Sequence, residues 1–252
     1  GGGMAEIHIG TSGWTYDHWL GRFYPAEAAK KGARQSRLTH YAPSFRSVET
    51  NASSYRLPTE KGMASWPADT PPDFVFTAKA SRFITHIKRL VDVEKAWRLF
   101  VDNAVLLQDR LGPILLQFPP SLRKDMARLE EFLAVAQAAS PPRTLKLVIE
   151  FRHDSWFTQE VYRLLNRHGA ALCIADSHRY PRKDVLTADW AYVRYHGRNN
   201  LFASNYPRAE LEKEARILKR YLRQGLDVFV YFNNDAKGYA IKNARMLRTL
   251  LE

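Results

Sequence analysis

The chain has 252 residues, of which 45% are hydrophobic and 12% aromatic, enough to bury a sizeable core. Lys and Arg number 38 against 26 Asp and Glu; the formal charge of +12 is dispersed along the chain, concentrates anions near its surface and makes phosphate-bearing partners an expectation. No apolar run approaches the roughly 18 residues that cross a bilayer, the lone Cys173 excludes an intrachain disulfide and a cysteine metal cluster, and "GGGMAEIHIG" has neither the basic start nor the apolar stretch of an export signal. These features lead us to expect a cytoplasmic protein with no membrane partner, in which Gly1 to Gly3 are an expression scar and residues 4–252 form a single domain.

"IHIGTS" (7–12) and "SVET" (47–50) are the first short runs rich in β-branched and aromatic residues, and "FVFTAKA" (74–80) is the third. The chain then switches to helical periodicity in "VEKAWRLFVDNAVLLQDRLG", which closes on a glycine read as a C-cap. "PILLQF" (113–118) precedes the helical "LEEFLAVAQAA", and "LKLVIEFR" (145–152) precedes "TQEVYRLLNRHG", closed by Gly169. "ALCIADS" (171–177) is joined to "AYVRYHG" (191–197) by "HRYPRKDVLTADW", too short and too Pro-broken for a full helix. "RAELEKEARILKRYLRQG", closed by Gly225, leads to the last strand, "VFVYFNN" (228–234). Eight strands alternating with helical crossovers predict an α/β fold, a single (β/α)8 TIM-type barrel, somewhat irregular between strands 6 and 7.

In such a barrel the loops at the carboxyl ends of the strands build the site. Strands 2 to 8 all end polar: Glu49 and Asn51, Lys79, Gln117, Glu150 and Arg152, Asp176, Arg194 and His196, then Asn233 and Asn234. Residues two apart share a side, so Glu150 and Arg152 are expected to face inward with Arg194 and His196, while Leu147, Ile149 and Phe151 face the helices. Buried ions cost several kcal/mol each unless paired, so this ring is either a self-satisfied network closing the barrel top or a ligand site. Glu49, Glu150, Asp176 and His196 are the candidates for proton transfer, and Lys79, Arg152 and Arg194 for anion clamps. "HGRNN", with Gly197 and Arg198, and "NNDAKGYAIKNA", where Asn234 or Asp235 can N-cap a helix, form the expected phosphate cradle. Trp14, Tyr16, Trp19, Tyr55, Trp156 and Tyr206 fall near the same mouth, placed to stack on a base or a sugar. Lys and Arg interleave the acids and no His pair occurs at helical spacing, so neither a metal nor a cofactor is expected. Ser12 in "GTSGW" lacks the strand-to-helix elbow of an activated serine.

The motifs "GTSGWTYDHWLGRFYP", "SVETNASSYRLP", "FTAKASRFITH", "LLQFPPS", "EFRHDSW", "VRYHGR" and "YFNND...A..NA", in order from residue 10 to about 244, resemble the YecE-like family, domain of unknown function 72. The resemblance implies a TIM-type barrel and no settled activity. It carries the family's recurrent polar positions onto the strand-end residues above and onto Tyr55, Arg56, His86, His153, Trp156 and Gly197. Thr50 and Ser54 depart from the family's usual Ile and Phe; Thr50 is expected to face the helices. The resulting expectation is an enzyme acting on a phosphate-containing ligand, a nucleotide or nucleic acid, with hydrolase or phosphodiesterase-like general acid/base chemistry. Two alternatives stand beside it: a non-catalytic nucleic-acid-binding barrel, and a sugar isomerase or hydrolase-like enzyme on an uncharged substrate.

Overall fold

The computed structural model describes residues 4–29, 34–50, 60–138, 144–198 and 204–252; Gly1 to Gly3 and the site candidates Asn51, Tyr55 and Arg56 lie outside the described residues. Eight parallel strands form a nearly closed barrel: β1 (Ile7–Thr11), β2 (Ser47–Glu49), β3 (Val75–Lys79), β4 (Leu111–Gln117), β5 (Leu147–Glu150), β6 (Ala171–Asp176), β7 (Trp190–Tyr195) and β8 (Asp227–Phe232). Around them lie α1 (Arg34–Tyr41), α2 (Glu60–Ser65), α3 (Glu94–Ala104), α4 (Met126–Ala138), α5 (Gln159–Arg167), α6 (Arg208–Arg223) and α7 (Tyr239–Leu251). Among the described residues, no helix is long and apolar enough to cross a membrane.

The strands sort their side chains by parity, which a barrel requires. Leu147, Ile149 and Phe151 face outward into a core with Trp97, Leu129 and Val161, as expected. Leu115, Val148, Cys173, Tyr192, Phe229 and Tyr231 fill the barrel interior. At its floor the His8 ring stacks on Phe229 at 4.7 Å, and above them the Tyr231 hydroxyl meets Ser47 Oγ at 2.6 Å and accepts from Thr77 Oγ1 at 3.1 Å. The register pairs Glu49 with Thr77, Lys79 with Leu115, and Gln117 with Glu150, so successive strand ends bring their polar residues to the rim.

The barrel is irregular where the sequence implied, between β6 and β7. There the chain returns in extended form, and Thr187 stitches it to the base of β6: its Oγ1 accepts from the Leu172 N–H at 3.0 Å and donates to the Ala170 carbonyl at 2.7 Å. Val185 and Leu186 supply the apolar cover that a helix gives elsewhere. Gly169 (φ 65°) and Gly225 (φ 82°) do close α5 and α6 in the left-handed conformation. One boundary is corrected. The helix expected to run on to Gly112 ends at Ala104, a 3-10 segment follows with Gln108 at φ 56°, and Gly112 lies inside β4. A Cβ there would meet Val75 at 2.6 Å, so this glycine serves close packing between strands.

Candidate active site at the barrel mouth

Arg194, the last inward-facing residue of β7, is the hub. Its guanidinium is 1% exposed and bridges two carboxylates, one from β2 and one from β5. Nε and Nη2 donate to Glu49 at 3.1 and 2.8 Å, and Nη1 donates to Glu150 Oε2 at 2.8 Å. Glu49 also accepts from Ser12 Oγ at 2.6 Å and from the Tyr192 hydroxyl. Glu150 accepts from Arg152 Nε at 2.7 Å, from His196 Nε2 at 3.0 Å and, more weakly, from Cys173 Sγ at 3.7 Å. Burial alone would raise both carboxyl pKa values. For Glu49, Arg194, with help from Ser12, Tyr192 and Lys79, outweighs it and holds the group below its ordinary value. For Glu150, Arg194, Arg152 and His196 hold it well below. Both acids are therefore ionised, fully buried and fully engaged.

His196 is buried and its pKa is lowered, chiefly by desolvation, against the pull of Glu150. Asn233 Nδ2 donates to its Nδ1 at 3.1 Å, which leaves the proton on Nε2, donated to Glu150. The ring is thus a neutral imidazole with an assigned tautomer. Lys79 differs from every neighbour. Its side chain ends β3 on the inward row, partly buried, and among the described residues no carboxylate oxygen lies within 4.0 Å of its ammonium. Burial first, then Arg194 and Arg152, push its pKa down to about 8 despite the raising effect of Glu49 and Glu150. Its backbone N–H donates to Thr50 Oγ1 at 2.9 Å, so the threonine that departs from the family's usual isoleucine is a ligand of the Lys79 backbone.

Other expected residues take different places. Asp176 is not in the inward ring: Cys173 and Ala175 hold that face of β6, and Asp176 points to the helix layer, where it accepts from Tyr206 OH at 2.7 Å, Arg182 Nη1 at 2.9 Å and Arg198 Nη2 at 3.0 Å. Burial would raise its pKa; the bonds from Arg198 and Tyr206 outweigh it and lower it. The anion cradle expected after β7 and β8 is otherwise occupied. Arg198 is shared by Asp176, Glu210 and Glu214, and the Gly197 N–H (φ 100°) donates to Tyr206 OH. Asn234 turns its amide to the Ser204 carbonyl and to Asn243 Oδ1, both at 2.8 Å. Neither Asn234 nor Asp235 caps α7, which begins behind Gly238.

The expected stacking aromatics are mostly core. Trp14, Trp19, Trp156 and Tyr206 are buried; Trp156 stacks on Phe151 at 4.7 Å and donates to the Leu122 carbonyl, so its faces are used by the protein. Tyr16 is partly buried, its hydroxyl donating to the Ser12 carbonyl at 2.6 Å. His153 caps the turn Asp154–Trp156 through Ser155, and Gln117 donates to the Phe118 carbonyl. His86 sits on a π-helical turn, Phe83–Ile87, its Nδ1 2.8 Å from Thr85 Oγ1. Desolvation, then Arg82, Lys79, Arg152 and Arg89, push its pKa down to about 4, so cations crowd this side of the rim. Among the described residues no group of three or more His, Cys, Asp or Glu side chains gathers as a metal site. Sequence reasoning missed Tyr192 and Cys173 as partners of the acids. Tyr192 was findable, since it lies two residues before Arg194 on the same row.

Comparison with known proteins agrees with the barrel. The chain is 29% identical to a DUF72 family protein of Thermotoga maritima of known structure, with a TM-score of 0.84 over 98% of this chain and 99% of that one. A DUF72 family protein of Enterococcus faecalis is 20% identical, with a TM-score of 0.79 over 98% of each chain. The UPF0759 protein YunF of Bacillus subtilis is 27% identical over 98% of this chain and 95% of its own length. A family model described as "Protein of unknown function DUF72" matches residues 8–252, and the chain belongs to that family.

Proposed function

We propose that the barrel mouth is the active site of an enzyme that acts on a small anionic substrate, with a phosphate as the anion class. The observation that supports this is Lys79. Both carboxylates, the hub guanidinium and the imidazole are mutually satisfied, and a network needed only to close the barrel has no use for one more half-buried ammonium without an ion pair among the described residues. Three cations, Lys79, Arg152 and Arg194, face two carboxylates, Glu49 and Glu150, so the inner ring carries an excess of one positive charge. A single bound anion neutralises it. An uncharged sugar leaves it uncompensated, and a nucleic-acid backbone needs several phosphate contacts where this ring offers one spare charge. Arg152, lying 4.5 Å over the Tyr180 ring and bonded to Glu150, is the second arm of the clamp. The Glu150–His196–Asn233 chain is the proton-handling side of the site.

The test is thermal unfolding in inorganic phosphate against chloride at matched ionic strength. A ligand at 100 times its Kd stabilises a fold by about 2.7 kcal/mol, so a phosphate-dependent rise in Tm of several degrees is expected for the native chain. Lys79→Met should remove that rise, while Lys95→Met, on the outer surface of α3, should keep it. A phosphate response that survives Lys79→Met overturns the reading.

A further inference from the structure

We propose that Lys79 is a nucleophile, condensing with the carbonyl carbon of an aldehyde or ketone that carries an anionic group and forming an iminium at the barrel mouth. The inference rests on the mouth being the active site and names its substrate class. It begins with an unusual division of partners. A lysine on the same rim as two buried carboxylates would ordinarily form an ion pair with one of them and stay protonated. Here Arg194 takes both acids in a fork, and Arg152, His196, Ser12 and Tyr192 occupy their remaining lone pairs. The ammonium is left with no carboxylate oxygen within 4.0 Å among the described residues.

Its placement is equally specific. Thr77, two residues earlier on the inward row of β3, donates to Tyr231 OH inside the barrel, so the Lys79 side chain rises from the rigid interior rather than from a loop. The Lys79 N–H is tied to Thr50 Oγ1, and the Lys79 backbone pairs with Leu115 of β4. The reactive nitrogen is thus carried on a fixed strand end while its tip has no ion-pair partner among the described residues, the combination a covalent nucleophile needs. With its pKa near 8, about a tenth of the amine is free at pH 7, against well under a thousandth for an ordinary surface lysine.

The condensation balances within the site. The ammonium gives up one proton, its lone pair forms the C–N bond, and the carbonyl π pair moves to oxygen. That oxygen receives two protons in all, both originating on nitrogen, and leaves as water with the C–O bond pair. The nitrogen pair then forms the C=N bond. Ammonium plus carbonyl yields a protonated iminium plus water, with the single positive charge conserved and no outside oxidant or reductant. The product cation stays close enough to Glu49 and Glu150 to feel their field, and the rim around Arg152 meets the anionic group of the substrate.

The test is reductive trapping with cyanoborohydride at pH 7, using dihydroxyacetone phosphate as probe and hydroxyacetone as its uncharged counterpart, followed by peptide mass mapping. The expected result is a stable adduct on Lys79, formed with the phosphate probe at least about tenfold faster than on surface lysines such as Lys95, in line with its larger free-amine fraction. Lys79→Arg keeps the charge and cannot form an iminium, so it should lose the adduct and keep the phosphate-induced rise in Tm. The mapping on the native chain decides the matter even if that variant fails to fold. Labelling spread evenly over the lysines, or absent from Lys79 with both probes, overturns the nucleophile; if the phosphate response of the native chain persists in that case, the anion site stands without it.

Discussion

Glu150 and Lys79 belong to the same inward ring and are predicted to respond to charge removal with opposite signs. Glu150 is fully buried, with Arg152, Arg194 and His196 all donating to it. Glu150→Gln keeps the shape and leaves cations short of a partner, so it should cost about 3–5 kcal/mol in denaturant unfolding. Because its folded pKa lies well below 4.5, the stability Glu150 confers is present above pH 4.5 and is lost as pH falls through the folded value, so the variant should also show shallower acid unfolding. Lys79 runs the other way. Its folded pKa of about 8 lies below the unfolded 10.5, so between those values the unfolded chain holds the proton more tightly and stability rises with pH across that window. At pH 7 the charge opposes folding. Lys79→Met should therefore stabilise the fold by about 1–2 kcal/mol at pH 7, a figure reduced for the partial exposure of the side chain, and the gain should shrink toward pH 10.5. A destabilised Lys79→Met would show that the ammonium belongs to the structural network.

The extended link between β6 and β7 replaces a helix and is fastened by Arg182. Its guanidinium donates to Asp176 at 2.9 Å, to Asp184 at 2.8 and 3.0 Å and to Glu214 at 2.5 and 3.1 Å, joining a strand end, the link and α6. Glu214 is only 2% exposed, so Arg182→Met leaves this buried carboxylate with only the more distant Arg198, at 3.6 Å; a loss of about 3 kcal/mol is expected, with amide exchange accelerating first in residues 177–189. Uniform acceleration through β6 would show that the link is held by its apolar residues instead. The Pro-broken "HRYPRKDVLTADW" made the missing helix legible, but not this strap, because Arg182 and Glu214 are 32 residues apart and no local pattern joins them. The same limit explains Asp176. "ALCIAD" is buried on both faces, so it carries no apolar–polar alternation from which to read which side its last residue takes. Where polar residues recur at spacing two, as at Arg194 and His196 or Glu150 and Arg152, the inward face was legible. The glycine at 112 misled for a related reason: helical periodicity ran on through Leu107, and nothing in the pattern marked the break at Gln108.

Closure of the barrel depends on one seam. Strands β1 and β2 share no continuous ladder; they meet at the bridge between Ser12 and Glu49, where the Gly13 N–H donates to the Glu49 carbonyl at 2.7 Å. Below that point the Tyr41 hydroxyl, carried by α1, fills the gap: it accepts from the Thr11 N–H at 2.9 Å and donates to the Ser47 carbonyl at 3.1 Å. Gly10 makes this approach possible, since a Cβ there would lie 2.0 Å from the Ser47 carbonyl oxygen. The seam borders the mouth, because Ser12 and Glu49 stand at its top and Glu49 anchors the Arg194 hub. Tyr41→Phe preserves the ring packing and removes only the hydroxyl, leaving a buried N–H and C=O unpaired at a cost of about 1–3 kcal/mol. If the seam controls the whole molecule, its loosening should reach Lys79 on the next strand: water entering the mouth relieves desolvation, and the Lys79 pKa should climb from about 8 toward 10.5. Titrating the Lys79 ammonium in native and Tyr41→Phe chains, by NMR or by the pH dependence of amine labelling, measures that coupling directly. A Tyr41→Phe chain with the expected loss of stability and an unmoved Lys79 pKa would confine the seam's role to local hydrogen bonding and leave the surroundings of Lys79 to the Arg194 network alone.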